Sequence, residues 1–467
     1  MAKRSKYFFW IGEAGKVATP FWWIVWMFFI LYLPFLRPWW WVFLPLLLSV
    51  ELKTLYLWWI SWDFTYPQTK WVVLEIVPPR ESLVPIKAME DVFATMWGPL
   101  FDGPNFRELY CDGMLPECPN WMSLELVSIE GKLHFYIRVT QGHRLSLETA
   151  LYSYYPDLEI QEVPDYTRNV PKNIPNDEWD IYAEDYVAKK PAPYPIKTYE
   201  KFFEPQGEKI SAEEKRIDPL NSLLESMSKL GKGEQFWMQV IISSTSSSSY
   251  NPEFKGESEE IINKLTKRPG KKKEPTIFDE IMYVLNQLIS GLIQDGAGEK
   301  ATYKWAELGQ RSETGEREMI MTPGEREILT EVENKVKKPI FRTAIRGMYV
   351  AKRENWKASH RILLRTYFGH FHTENMNTIQ LDSNTRTKVH YLFRKRRVFL
   401  RARKMLRNSI TRFPSYFPDR KNGNSLLSPE ELASIFHFPI KMTGMIMPTM
   451  EKVEAKKSGP PPNLPVE

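Results

Sequence analysis

Residues 121–140 read WMSLELVSIEGKLHFYIRVT. Apolar and polar residues alternate on both sides of Glu130-Gly131, the pattern of a hairpin closed by a two-residue turn. Upstream, KWVVLEIVPP (70–79) is β-branched and apolar and predicts a strand. VPIKAMEDVFATMWG (84–98) puts Ile86, Met89, Val92, Phe93 and Met96 on one helical face. Downstream, HRLSLETALYSYYP (143–156) has helical spacing and LEIQEVPDY (158–166) predicts a closing strand. The order β-α-β-β-α-β predicts a ferredoxin-like domain over residues 68–168.

The same order recurs over residues 177–382. DEWDIYAEDYVAK (177–189) predicts a strand, and DPLNSLLESMSKLGKGE (218–234) a helix with Asp218 at its N-cap and Pro219 in its first turn. QFWMQVIISS (235–244) and KPIFRTAIRGMYVAKR (338–353) predict strands, NWKASHRILLRTYFGHF (355–371) a helix, and NTIQL (377–381) a closing strand. Residues 245–337 interrupt this second ferredoxin-like domain as a polar, mobile insertion. Within it, 277–294 has helical spacing, and TPGEREILTEVENKVKK (322–338) predicts a helix capped by Thr322.

The N-terminus has a different composition. Nine of the 17 Trp lie between Trp22 and Trp62, and Arg37 is the one charge in residues 20–50. A membrane span needs roughly 20 apolar residues. Residues 20–62 therefore predict a two-helix transmembrane hairpin, about 20–36 and 39–62, after a short N-terminus (1–19). Trp22, Trp23, Trp39, Trp40, Trp41, Trp58, Trp59 and Trp62 would sit at the membrane interfaces. The bulky aromatics and the second apolar run exclude a cleaved signal peptide. Lys3, Arg4, Lys6 and Lys16 ahead of the first span predict that both ends lie in the cytoplasm. The fold class expected is an α+β membrane protein of the inner, cytoplasmic membrane: a hairpin, two cytoplasmic ferredoxin-like domains and a basic helical C-terminal segment.

That basic segment spans 383–418 and holds no Asp or Glu. RTKVHYLFRKRRVFLRARKMLRNSITR (386–412) carries eleven Lys and Arg beside an apolar stripe that includes Val389, Leu392, Phe399, Met405 and Leu406. Arg394, Lys395, Arg396, Arg397, Arg401, Arg403 and Lys404 are the candidate contacts to phosphate or anionic lipid. The alternative is a solvated face of a helix packed on its own domain. After it, residues 425–467 read as a helix with a capping box, Ser428 to Glu431, and a Pro-rich strap. Leu432, Ile435, Phe436 and Phe438 are its candidate partner-docking face.

Few other residues suggest chemistry. QDGAGEKATYKW (294–305) lacks the Gly-Lys-Ser/Thr ending of a phosphate-binding loop and follows a helix. Cys111 and Cys118, the only two Cys, support neither a disulfide framework nor a zinc knuckle. His360, His370 and His372 do not share a helical face. No nucleophile elbow or His-Glu-x-x-His is present, so neither catalysis nor a cofactor is expected.

Five stretches occur in a distinctive order: VLEIVPPRESLVPIKAMEDVFATMWG, SLELVSIEGKLHFYIRV, YPDLEIQEVPDYT, DPLNSLLESMSKLGKGEQFWMQVII and LSPEELASIFHFP, the last followed by a Lys-rich tail and PPPNLP. Together they resemble the N-terminal, pre-motor region of membrane-anchored ATPases related to conjugative-transfer coupling proteins and HerA/FtsK-type DNA pumps. The resemblance implies a non-enzymatic anchor and scaffold of a type IV secretion-like, DNA-translocating machine. In those relatives a P-loop motor follows the strap. Here it would be a separate ATPase engaged in trans, with the scaffold oligomeric around it. A membrane-tethered nucleic-acid-binding protein using the 386–412 helix is the alternative, with DNA as its partner.

Overall fold

The computed structural model describes residues 66–79, 84–101, 120–202, 218–245, 252–266, 322–390, 392–413 and 425–439, with isolated positions between 28 and 60. β1 (Trp71–Val77), α1 (Ile86–Leu100), β2 (Met122–Ile129), β3 (Lys132–Thr140), α2 (Arg144–Tyr154) and β4 (Glu159–Glu162) form the first unit. β5 (Trp179–Ala188), α3 (Pro219–Ser228) and β6 (Glu234–Thr245) open the second. Two helices of the intervening segment follow, α4 (Pro252–Leu265) and α5 (Pro323–Lys337). The second unit then closes with β7 (Ile340–Lys352), α6 (Leu363–Gly369) and β8 (Ile379–Leu381). α7 (Arg394–Thr411), β9 (Ser425–Leu427) and α8 (Pro429–Ile435) complete the chain as described.

The nine strands form one antiparallel sheet in the order β4-β1-β3-β2-β6-β7-β5-β8, with β9 paired to β7. Each unit keeps the strand order of a split βαβ pair. The units meet along β2 and β6, paired from Met122↔Ile242 to Ile129↔Gln235. The expected fold class is therefore corrected. In place of two separate ferredoxin-like domains, the described residues form a single α+β fold on one nine-stranded sheet. Among the described residues no helix is long and apolar enough to cross a membrane. The longest, α7, has 18 residues and is strongly cationic. The expected multi-pass inner-membrane placement is corrected with it. Most of 20–62 lies outside the described residues, as do seven of the eight interface tryptophans; Trp59 is half exposed.

The Glu130-Gly131 turn needs its glycine. Both residues have positive φ, 53° and 85°. A Cβ on Gly131 would meet the Ser228 and Leu230 carbonyl oxygens at 2.7 and 2.8 Å. The turn thus nests against the end of α3.

Alternation along the strands makes two cores. On one face Leu74, Leu124, Leu126 and Val240 pack with α1, α2, α3, α6 and α8. On the other, Val73, Val127, Trp237 and Met348 pack with Tyr166, Val170, Ile174 and the second half of α7.

α8 is the keystone of the first face. Ser428 and Glu431 form a reciprocal capping box. The buried Glu431 carboxylate also accepts from Ile196 N at 2.8 Å and pairs with buried Lys335 Nζ of α5 at 2.9 Å. This joins the intervening segment to the C-terminal helix. Leu432, Ile435, Phe436 and Phe438 are all buried. Phe436 and Phe438 meet Phe135 edge-on at 6.1 and 5.5 Å. The face expected to dock a partner instead fills this chain's own core. Capping box and apolar spacing are the same whichever surface a helix covers.

His437 follows α8 and is buried. Its Nδ1 lies 2.8 Å from Ala433 O and its Nε2 3.1 Å from Asp218 Oδ1, the residue that caps α3. Both partners only accept, so the ring is the imidazolium. Burial pulls its pKa down, but the Asp218 carboxylate outweighs this and holds it above the usual value. Burial likewise pushes Asp218 up, and His437 holds it below the usual carboxylate range. A raised His pKa stabilises fully below about pH 6.5, and a lowered Asp pKa fully above about pH 4. Stability from this pair is therefore greatest between those values. It falls as pH drops through the Asp218 pKa and as pH rises through the His437 pKa. Urea midpoints measured from pH 5 to 9 should decline on the alkaline side, and His437→Gln should remove that part of the decline. An identical pH profile in the variant would contradict the assignment.

Candidate functional site

α7 crosses the second face of the sheet, and its docking depends on strand register. Glu125 lies opposite Gln239, Gln239 opposite Arg346, and Arg346 opposite Asp185. In the other direction Glu125 lies opposite Tyr136, Tyr136 opposite Glu75, and Glu75 opposite Gln161. One polar row thus runs through both units at a single register position. Gln161 lies in the short and mostly polar β4, while Glu75, Glu125, Gln239 and Arg346 sit among apolar neighbours of their strands.

The second half of α7 covers this row. Ala402, Met405, Leu406 and Ser409, at i, i+3, i+4 and i+7, are buried against the sheet. The helix ends where donors await its last carbonyls. Arg346 Nη1 donates to Asn408 O at 2.8 Å, and Gln239 Nε2 to Ser409 O at 3.1 Å. Thr411 O accepts from Tyr66 Oη at 2.6 Å and from Arg138 Nη1 at 3.2 Å. Cationic donors at a helix C-terminus satisfy orphan carbonyls and oppose the negative end of the dipole.

Arg412 locks the end. It adopts a left-handed conformation (φ 52°), and its guanidinium is fully buried. Nε donates to Glu125 Oε1 at 2.9 Å, and Nη1 to Asp165 Oδ2 at 2.5 Å. Tyr166 Oη donates to Glu125 Oε2 at 2.5 Å. Burial pulls the Arg412 pKa down, yet the Glu125 and Asp165 carboxylates hold it well above its usual value. Burial pushes Asp165 up, and hydrogen bonds from Arg412 bring it below its ordinary value. Removing one member of a buried network of this kind costs about 3–5 kcal/mol.

A scan against known protein families found no match, and a search of the curated proteins found none.

With its second half clamped, α7 projects its first half into solvent. Leu392, Phe393 and Leu400 are 77%, 73% and 54% exposed. Arg394, Lys395, Arg396, Arg397, Arg403 and Lys404 are exposed among them. Arg403 lies 4.5 Å over the Phe399 ring. Arg401 is the exception, since its Nη1 donates to Arg386 O at 3.0 Å and so holds the approach to the helix. The helix is shorter than the 386–412 basic stretch. It begins at Arg394 because Phe393 takes a left-handed conformation (φ 57°). The first turn has no side-chain cap and no acidic residue. Among the described residues, Arg394, Lys395, Arg396, Arg403 and Arg407 have no carboxylate partner.

Sequence reasoning found the cations but missed Glu125, Arg138, Gln239, Arg346 and Arg412. The available signal was one polar residue in the middle of each of several apolar strands. No group of His, Cys, Asp or Glu among the described residues could hold a metal ion. His360 lies 3.4 Å from the Glu234 carboxylate, away from α7.

Proposed function

We propose that this chain is a non-enzymatic, nucleic-acid-binding platform whose rigid sheet presents the first half of α7 to phosphate. The observation that carries this is the exposed set Arg394, Lys395, Arg396 and Arg403 of α7, without carboxylate partners among the described residues and interleaved with exposed Phe393 and Phe399. An uncapped first turn bearing four cations is electrostatically unfavourable by itself, because the helix dipole has the same sign there. A phosphate relieves both the charge and the orphan N–H groups. The two aromatic rings offer stacking surfaces to unpaired bases, which favours single strands over duplex. The test is a fluorescence-anisotropy titration of labelled single-stranded and duplex oligonucleotides across a range of salt. Binding whose affinity does not fall with salt, or no binding, would remove the proposal.

The likeness to pre-motor regions of DNA-translocating ATPases supports a second proposal, that the platform serves a separate P-loop motor. The feature that favours it is PPPNLP (460–465), since the α8 face is taken up internally. A chain ending at Pro439 keeps α8 and loses this strap. It should fold normally and fail to co-purify a P-loop ATPase that the full chain retains. Equal retention by both chains would exclude the strap as the tether.

A further inference from the structure

A cavity of about 550 Å³ opens at the β4–β1 end of the sheet, lined in part by Trp71, Arg138, Glu162, Asp165 and Arg168. Both carboxylates on the lining have cationic partners of their own. Glu162 is paired with Arg144 at 2.5 Å and Asp165 with Arg412 at 2.5 Å. Arg138 is 7% exposed, and its partners among the described residues are all neutral. They are Thr411 O at 3.2 Å, Tyr66 Oη at 3.4 Å and the Trp71 ring at 4.2 Å. Arg168 is exposed on the same lining, with no carboxylate partner among the described residues. Trp71 Nε1 is buried without a hydrogen-bond partner. A buried cation held only by neutral acceptors is costly unless an anion completes its environment. The remaining guanidinium donors suit a tetrahedral oxyanion, which arginine binds through paired N–H groups.

We propose that this cavity binds a phosphate monoester between Arg138 and Arg168. Its volume lies within the roughly 300–1,000 Å³ of small-ligand sites, which leaves space for the sugar and base of a mononucleotide. The site is separate from the exposed half of α7 and does not depend on it.

Calorimetric titration of the full chain at constant ionic strength in chloride tests this. The three probes are inorganic phosphate, a nucleoside 5′-monophosphate and the corresponding nucleoside. Saturable one-to-one binding of phosphate and monophosphate, with none of the nucleoside, is the expected result. A tighter monophosphate identifies a nucleotide as the ligand; equal affinity identifies free phosphate. Arg168→Gln, an exposed change that leaves the fold intact, should weaken binding about tenfold, the loss of one charge-assisted contact. Arg138→Lys should weaken it while preserving the helix-end contact. Absence of saturable binding by both phosphate probes, or unchanged affinity in Arg168→Gln, would overturn the proposal.

Discussion

Replacing Arg394, Lys395, Arg396 and Arg403 together by Gln should sharply weaken the proposed salt-sensitive nucleic-acid binding and leave the fold unchanged. The four side chains are exposed and make no ion pair with a carboxylate among the described residues, so the internal contact given up is the stack of Arg403 over the exposed Phe399 ring. Arg401 is left in place because it holds the Arg386 carbonyl. Each phosphate neutralised releases counterions, so losing four contacts should reduce the slope of log affinity against log salt by about 3 for single strands. Phe393→Ala with Phe399→Ala should behave differently. It should weaken single-strand binding by about 1–3 kcal/mol per stacked base with little change in slope. Anisotropy separates the two effects, and circular dichroism checks the fold. A quadruple variant with the wild-type slope would show that the phosphate contacts lie elsewhere.

Ending the chain at Leu427 leaves no cooperatively folded protein. α8 contributes Leu432 and Ile435 to the main core, with Phe436 and Phe438 just beyond it, all buried. Its loss also strands the buried Lys335 ammonium without Glu431 and the Asp218 carboxylate without His437. Large-to-small changes at single buried aliphatic or aromatic sites cost about 2–5 kcal/mol each, against a total stability of about 5–15 kcal/mol. Deleting the whole helix exceeds that total. Leu432→Ala alone should lower stability by about 2–5 kcal/mol in urea unfolding. A chain ending at Leu427 that still unfolds cooperatively would refute the keystone role. The same reasoning dictates where a strap deletion is cut, because a deletion beginning at Ser428 would destroy the platform along with the strap.

The individual strands and caps were legible because local rules govern them. Alternation over 121–140 and the Glu130-Gly131 turn specify a hairpin before any partner is known. Thr322 and Ser428 announce their helices through side-chain oxygens that reach backbone N–H groups three residues on. The charge of 383–418 was equally plain, since a long run without Asp or Glu needs no fold to be noticed.

What α7 and α8 do was not legible, because a helix's apolar face does not name the surface it covers. The α8 residues carry the same spacing for docking in trans as for packing on this chain's own α1 and β3. Of the apolar stripe predicted along the basic stretch, Val389 and the second half are buried while Leu392, Phe393, Phe399 and Leu400 are exposed, because Phe393 starts the helix late and Arg412 clamps its end. Glu125, Gln239, Arg346 and Asp185 look in sequence like four solvent-facing alternates. Register brings them opposite one another, and α7 then closes over them. The chain by itself determined its strands, its turns and the sign of its charge, since those depend on neighbours within a few residues. Tertiary structure alone decided that two βαββαβ units share one sheet, that the C-terminal helix is core, and which cations remain exposed. Those outcomes depend on pairings between residues a hundred or more positions apart, where burial and hydrogen-bond satisfaction across strands outweigh any local preference.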